Sequence, residues 1–175
     1  MSGGAGADTI NGGAGQDTIT GGDGADTIDG GADIDTITGG NDADTLTGGA
    51  GADTFVFDLG NEAAGGANDH ANDAYDTITD FVSGTDTIQV TGVGNSNEVI
   101  ISGSALANES AVIAAVDAQL NGSDNDIVIV TDVMDSGDTW IYIDVDGSND
   151  IDGSDHVIVL TGIDNGEIAA GDVGP

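Results

Sequence analysis

The sequence predicts an all-β protein in which a parallel β-solenoid is followed by a β-rich cap that contains one helix. A nine-residue pattern recurs six times without interruption over residues 3–56. One apolar residue recurs at the same position of every block, preceded each time by threonine as in a short strand. The pattern stops after residue 56, so we predict one unit over residues 1–56 and a second over residues 57–175.

Each block has the form Gly-Gly-x-x-x-Asp-Thr-apolar-x. The blocks are GGAGADTIN, GGAGQDTIT, GGDGADTID, GGADIDTIT, GGNDADTLT and GGAGADTFV. The glycine-rich half predicts a turn, and the Thr-apolar-x half predicts a three-residue strand with one inward side chain. Two blocks close one coil of 18 residues, so six blocks predict three coils between two parallel sheets. The inward side chains are those of Ile10, Ile19, Ile28, Ile37, Leu46 and Phe55.

The aspartates of the blocks are predicted to form two columns, because turns 18 residues apart lie on the same side of the solenoid. The first column contains Asp8, Asp26 and Asp44, and the second contains Asp17, Asp35 and Asp53. Stacked carboxylates repel each other unless a cation lies between them. Two carboxylates and the carbonyls of the glycine loops offer about six oxygens, which suits calcium. The glycines proposed as carbonyl ligands are Gly4, Gly6, Gly13, Gly15, Gly22 and Gly24. The alternative interpretation is a solvated acidic turn without metal.

Two blocks depart from the pattern in the turn. Asp33 and Asp42 stand where the other blocks have the glycine of the fourth position. Aspartate adopts the left-handed backbone conformation more readily than most residues, so we expect both turns to persist.

The charge of the chain limits its partners. The sequence has 33 Asp and Glu residues and no Lys or Arg, which gives a formal net charge of −33. Nucleic acid and anionic membrane surfaces are excluded as direct partners, because both require cationic side chains. A disordered acidic chain is the alternative, but the 38% hydrophobic content and its regular spacing favour a fold neutralised by calcium. No cysteine is present, so disulfides contribute nothing.

A second pattern follows a polar stretch over residues 61–74. It runs Asp76-Thr-Ile-Thr-Asp80-Phe-Val-Ser-Gly-Thr-Asp86-Thr-Ile. The nonapeptides resemble those of RTX (repeats-in-toxin) proteins, and the second pattern is similar to the segment that follows the roll in serralysin-type proteases and other type I secreted proteins. The resemblance implies a parallel β-roll that binds several Ca²⁺ ions. It also implies that the chain has a type I secretion apparatus as a partner. It also makes Glu62, Asp76 and Asp80 candidate calcium ligands at the end of the roll; turn and strand-edge carboxylates are the alternative.

The remaining sequence predicts one helix and three strands. Residues 108–120 carry an apolar stripe at helical spacing, with Asn108 as a possible cap. Strands are predicted over residues 126–133, 140–145 and 157–160, in an antiparallel sandwich around Trp140 and Tyr142.

An acidic segment between the last two strands resembles an EF-hand or dockerin calcium loop. Its candidate ligands are Asp144, Asp146, Ser148, Asp150 and Asp155. Asn149 stands where an EF-hand has glycine, and Asp155 stands where it has glutamate. The alternative is an acidic hairpin of the kind that RTX proteins carry near their C-terminus.

The sequence offers no catalytic set. His70 and His156 lie far apart in the chain, and no H-E-x-x-H motif is present. We therefore predict a non-enzymatic calcium-binding module, secreted or at the cell surface, which folds on calcium outside the cell as the C-terminal part of a type I secreted protein. One alternative is an end segment of a surface-layer or adhesin protein that self-associates through calcium. Another is the non-catalytic C-terminal domain of a secreted protease or lipase.

Overall fold

A computed structural model describes residues 1–58, 75–91, 98–102, 127–131, 137–143, 155–163, 168–169 and 171–174. Every regular element in these ranges is a β-strand, which confirms the predicted all-β class. The ranges contain no helix that is long and apolar enough to cross a membrane.

Seven strands lie in the nonapeptide segment. They are β1 (Ser2–Ala5), β2 (Thr9–Ala14), β3 (Thr18–Asp23), β4 (Thr27–Ala32), β5 (Thr36–Asn41), β6 (Thr45–Ala50) and β7 (Thr54–Asp58). The strands described beyond it are β8 (Asp76–Ile78), β9 (Thr87–Thr91), β10 (Glu98–Ser102), β11 (Ile127–Thr131), β12 (Thr139–Ile143), β13 (His156–Leu160) and β14 (Val173–Gly174).

The nonapeptide strands form a parallel roll with the predicted period. Ile10 pairs with Ile28 and Ile28 with Leu46 in one sheet, while Ile19 pairs with Ile37 in the other. One sheet has the order β1-β3-β5-β7-β9-β14. The other sheet has the order β10-β11-β12-β13-β8-β6-β4-β2. The apolar column lies between the two sheets and is fully buried from Ile19 onward.

The strands are longer than the predicted three residues, so that prediction was wrong. Strands β2 to β6 each span six residues, because each continues through the Gly-Gly-x of the next block. The first glycine of the pair faces the interior. At Gly30 a Cβ atom would lie 2.6 Å from Asp35 Oδ2 and 2.7 Å from the Gly48 carbonyl oxygen. Only glycine leaves room there, so the pair serves close approach within the strand as well as the turn.

The turns that carry Asp33 and Asp42 persist, as expected. These are the non-glycine residues with positive φ in the described chain, at 78° and 75°. The glycines at this position in the first three blocks, Gly6, Gly15 and Gly24, also have positive φ, for example 105° at Gly24. Aspartate tolerates the left-handed region well enough to keep the turn.

The roll continues beyond the nonapeptides through β8 and β9. Ile78 pairs with Leu46, and Ile88 pairs with Phe55, both in the parallel direction. Ile78, Phe81 and Ile88 join the buried core. The second sequence pattern therefore supplies the next rung of each sheet and covers the end that Phe55 would otherwise expose.

Three C-terminal strands pair in the predicted antiparallel way. Strand β11 pairs with β12, and β12 pairs with β13, close to the predicted bounds. They do not stand apart as a sandwich, because β13 pairs in parallel with β8 and so extends the sheet of the roll. The division at residue 56 stays a prediction. The helix predicted over residues 108–120 and the polar stretch 61–74 lie outside the described residues.

Candidate metal centre

The two aspartate columns are joined by regular hydrogen bonds between coils. In the first column, the Asp8 N–H donates to Asp26 Oδ1 at 2.7 Å, and the Asp26 N–H donates to Asp44 Oδ1 at 2.8 Å. In the second column, the Asp17 N–H donates to Asp35 Oδ1 at 2.8 Å, and the Asp35 N–H donates to Asp53 Oδ1 at 2.9 Å. From the second coil onward, each carboxylate therefore uses one oxygen to hold the backbone of the preceding coil.

The second carboxylate oxygen is buried without a hydrogen-bond partner in five aspartates. They are Asp8, Asp17, Asp26, Asp35 and Asp44. A buried polar atom without a partner costs about 1–3 kcal/mol, and more when it is charged. Five such oxygens on one scaffold require a counter-charge, which the chain itself does not supply because it has no Lys or Arg.

Backbone carbonyls face the same positions. A Cβ atom built on Gly30 would point into the interior, next to Asp35 Oδ2 and to the carbonyl oxygen of Gly48, which belongs to the following coil. A Cβ atom built on Gly3 would likewise lie 2.5 Å from Asp8 Oδ2 and 2.8 Å from the Gly21 carbonyl oxygen. A carboxylate oxygen and a carbonyl oxygen thus converge between coils. Oxygens of these two kinds, in irregular geometry, are the ligands of calcium.

The predicted glycine ligands share one backbone property. All six have positive φ: Gly4, Gly6, Gly13, Gly15, Gly22 and Gly24. The assignment of their carbonyls as calcium ligands stays a prediction. The described part of the chain contains no group of three or more His, Cys, Asp or Glu side chains placed to hold a metal ion. A site on a column would therefore combine two carboxylates with backbone carbonyls.

Burial changes the acidity of the columns. Desolvation raises the pKa of Asp44 to about 7; the hydrogen bond from the Asp26 N–H opposes this, and the charges of Asp26 and Asp42 add to it. Desolvation also raises the pKa of Asp53, against the hydrogen bond from the Asp35 N–H. Both carboxyl groups therefore lose their protons less readily than a free aspartate unless a cation lies nearby. Perturbed pKa values of this kind are common at functional sites, metal sites included.

Of the three ligands predicted at the end of the roll, the structure places one on a column. Asp76 continues the first column, since the Asp44 N–H donates to Asp76 Oδ1 at 2.8 Å. Asp80 lies at the edge of β6 instead, where its two oxygens accept the N–H groups of Gly48 at 2.9 Å and Gly49 at 2.7 Å. The assignment of Asp76 and Asp80 as calcium ligands stays a prediction. Glu62 lies outside the described residues.

Sequence reasoning missed one member of the columns. Asp86 continues the second column, because the Asp53 N–H donates to Asp86 Oδ1 at 3.0 Å. The signal was present, since Asp86-Thr-Ile repeats the Asp-Thr-apolar triplet of the blocks. In the EF-hand-like segment, Asp144, Asp146, Ser148 and Asp150 lie outside the described residues. Asp155 is buried immediately before β13, and its role as a ligand stays a prediction.

The chain is similar to known calcium-binding repeats. The family model of the RTX calcium-binding nonapeptide repeat, in four copies, matches residues 2–37 and 29–61. The solution structure of the AlgE6R3 subunit from the Azotobacter vinelandii mannuronan C5-epimerase has a TM-score of 0.58 and 22% identity, over 98% of this chain and 80% of that one. The AlgE6R2 subunit of the same epimerase has a TM-score of 0.49 and 22% identity, over 94% and 89%. A search of curated proteins gave no match.

The nonapeptide pattern, the parallel roll and the family match indicate the same kind of repeat. The family model covers the nonapeptides, and the AlgE6R3 subunit shares the fold along almost the whole chain. The nonapeptide segment of this chain therefore carries RTX calcium-binding nonapeptide repeats, which bind several Ca²⁺ ions, and it folds as a parallel β-roll.

Proposed function

We propose that this chain is a calcium-dependent folding module that acts outside the cell, as the C-terminal part of a type I secreted protein. The observation that carries the proposal is the set of five buried carboxylate oxygens without a hydrogen-bond partner on the two columns. A cation between successive coils would neutralise them. The free energy of calcium binding would then become free energy of folding.

The net charge supports calcium control of folding. A chain with a formal charge of −33 and no basic side chain repels itself when it is compact. Extracellular calcium modules bind with dissociation constants of about 10⁻⁴–10⁻³ M, so the low calcium of a cytoplasm would leave such a chain unfolded. Export as an unfolded chain and folding outside the cell follow from this difference. RTX repeat proteins are typically secreted, which supports the same location.

The proposed role is structural rather than catalytic, and the activity of a longer protein would belong to another part of it. The AlgE6R3 subunit, which shares the fold, is named as a subunit of an epimerase. This favours a second candidate, in which the chain is the non-catalytic module of a secreted enzyme. The two candidates share the calcium chemistry and differ only in the parent protein.

Calcium titration of the whole chain tests the folding role. Circular dichroism should show little β structure in EDTA, full β structure with calcium and much less at equal magnesium, because magnesium requires a regular octahedral site. Asp26→Asn should raise the calcium midpoint, whereas the matched Asp29→Asn on the outer face of β4 should leave it unchanged. Full β structure in EDTA, or the same midpoint for both variants, would contradict the proposal.

Export is tested separately from folding. A cell that carries a type I apparatus should release the chain into the medium, and an otherwise identical cell without the pore should retain it. Retention in both cells would refute the type I assignment and leave the calcium chemistry intact.

A further inference from the structure

We propose that the segment described over residues 168–169 and 171–174, which we call the latch, is controlled by calcium through Asp172. Calcium creates the surface on which the latch docks, and docking lowers the calcium concentration at which the roll folds. The inference rests on the proposed function, because it assumes that calcium assembles the coils. It assigns a regulatory role to a carboxylate outside the residues that match the RTX repeats.

The backbone of the latch adds a strand to the roll. Strands β8 and β9 are the closing strands of the roll, and β14 pairs in parallel with β9, with Val173 opposite Ile88. The Ile88 N–H donates to the Asp172 carbonyl oxygen at 2.7 Å. Ile168 and Val173 are 7% and 5% exposed and belong to the same buried core as the apolar column. The core of the roll therefore includes side chains from a segment that is distant in sequence from its coils.

The Asp172 carboxylate holds the turn that precedes β9. Its Oδ2 accepts the Ser83 hydroxyl at 2.5 Å and the Ala169 N–H at 2.8 Å, and its Oδ1 accepts the Gly84 N–H at 3.1 Å. Asp172 is 5% exposed. Two of the donors come from the turn and one comes from the latch, so a single carboxylate fixes the two segments relative to each other. Hydrogen bonds to a charged acceptor are stronger than those between neutral groups, so loss of the charge should weaken this contact.

The same turn is bonded to the second aspartate column. Within the turn, the Val82 N–H donates to Asp86 Oδ2 at 2.8 Å. Asp86 Oδ1 accepts the Asp53 N–H at 3.0 Å, and the Thr87 N–H donates to the Asp53 carbonyl oxygen at 2.9 Å. The turn is therefore bonded to the latch on one side and to the last nonapeptide on the other.

This arrangement couples the latch to calcium in both directions. The donors of the turn and the edge of β9 come together when β9 pairs with β7, and that pairing belongs to the roll that calcium assembles. Docking in turn stabilises the closed turn, so the latch favours the calcium-bound state by the same free energy. Repulsion favours release without calcium, because Asp172 is a buried carboxylate in a chain that has no Lys or Arg.

Two adjacent amide protons report the two sides of this coupling in the whole chain. The Thr87 N–H is bonded to Asp53 in the roll, whereas the Ile88 N–H is bonded to Asp172 in the latch. Hydrogen exchange followed by NMR should show both amides protected at saturating calcium and neither protected in EDTA. In Asp172→Asn at saturating calcium, exchange at Ile88 should be faster than in wild type by about tenfold or more, while Thr87 stays protected.

The calcium midpoint of folding, measured by circular dichroism, tests the reverse direction. Asp172→Asn should raise the midpoint by about 2–4-fold, because the lost hydrogen bonds to a buried carboxylate are shared among several calcium ions. Asp138→Asn is the matched control and should leave the midpoint unchanged. The Asp138 carboxylate accepts the Gly162 N–H at 2.9 Å at an exposed position.

The outcomes separate this inference from the proposed function. If protection of Thr87 in wild type is the same in EDTA and in calcium, the proposed function fails. If calcium protects Thr87 while Ile88 exchanges at the same rate with and without calcium, only the latch is refuted. An unchanged midpoint in Asp172→Asn would refute the coupling. Should Asp172→Asn fail to fold, Ser83→Ala decides, since it removes only the hydroxyl donor: a raised midpoint supports the coupling and an unchanged one refutes it.

Discussion

In the nonapeptide coils, Asp26 and Asp35 each accept a hydrogen bond on one carboxylate oxygen and bury the other without a partner. By contrast, Asp86, immediately before β9, accepts a hydrogen bond on each of its two oxygens. The same residue type, at the same place in the coil, thus meets two environments. Where the turn is the short Gly-Gly-x-x-x-Asp, no N–H group reaches the second oxygen. Where the turn is the longer segment from Asp80 to Asp86, the Val82 N–H does. The longer turn thus brings a backbone donor to a carboxylate oxygen, whereas the short turns leave the equivalent oxygens of Asp26 and Asp35 without one.

Removal of β8, β9 and the rest of the chain after the nonapeptides should have the largest effect on folding. A chain that ends at Val56 loses β8 and β9, which exposes Leu46 and Phe55, both fully buried in the whole chain. Each exposed side chain costs about 1.5–3 kcal/mol. The N–H groups of Asp44 and Asp53 also lose their acceptors. We expect the truncated chain to need far more calcium to fold, or not to fold, in a titration followed by circular dichroism. An unchanged midpoint would show that the coils fold independently of the closing strands.

A cavity in the apolar column should come next. Leu46 is fully buried between the sheets, so Leu46→Ala should destabilise the calcium-bound chain by about 2–5 kcal/mol. Ile34→Ala is the control, because Ile34 is 50% exposed in a turn, and its effect should stay within about 0.5 kcal/mol. Urea unfolding at saturating calcium measures both. Equal losses would mean that the column is not the core.

An aspartate in the middle of a column should contribute more to calcium binding than the aspartate at its start. Asp26 accepts the Asp8 N–H and also donates its own N–H to Asp44, so it takes part in two contacts between coils, whereas Asp8 takes part in one. Asp26→Ala should therefore lower calcium stoichiometry more than Asp8→Ala. Titration calorimetry compares them, and equal losses would argue against ions stacked between coils.

The smallest expected effect is that of pH. Burial raises the pKa of Asp44 from 3.8 to about 7, so the calcium-free fold binds a proton more tightly than the unfolded chain does. Its stability from this group is therefore greatest below pH 3.8 and falls as the pH rises toward 7. Calcium must displace that proton, so the apparent calcium affinity should weaken as the pH falls below about 7.

Calcium midpoints at about pH 7.5 and about pH 5.5 measure this competition. The shift between them should be smaller in Asp44→Asn, which has no carboxyl group at that position. An equal shift in wild type and variant would assign the effect to other carboxylates.

The spacing of the blocks was enough to predict the roll, its apolar column and the membership of both aspartate columns within the nonapeptides. Once two blocks close one coil, a strict period of nine residues fixes the neighbours of each residue at a spacing of 18, so coil pairing follows from counting. The persistence of the turns at Asp33 and Asp42 was also predictable, because it depends on local backbone preference alone.

Other features depended on contacts between segments distant in sequence. The strands extend through the glycine pairs because the next coil lies close enough to exclude a Cβ at Gly30. Strand β13 joins the roll because Ile158 pairs with Asp76, 82 positions earlier in the chain. The sequence by itself determined which carboxylates stack, since that follows from a period. Only the tertiary structure decided which of their oxygens have donors, because those N–H groups come from turns whose path no local pattern specifies.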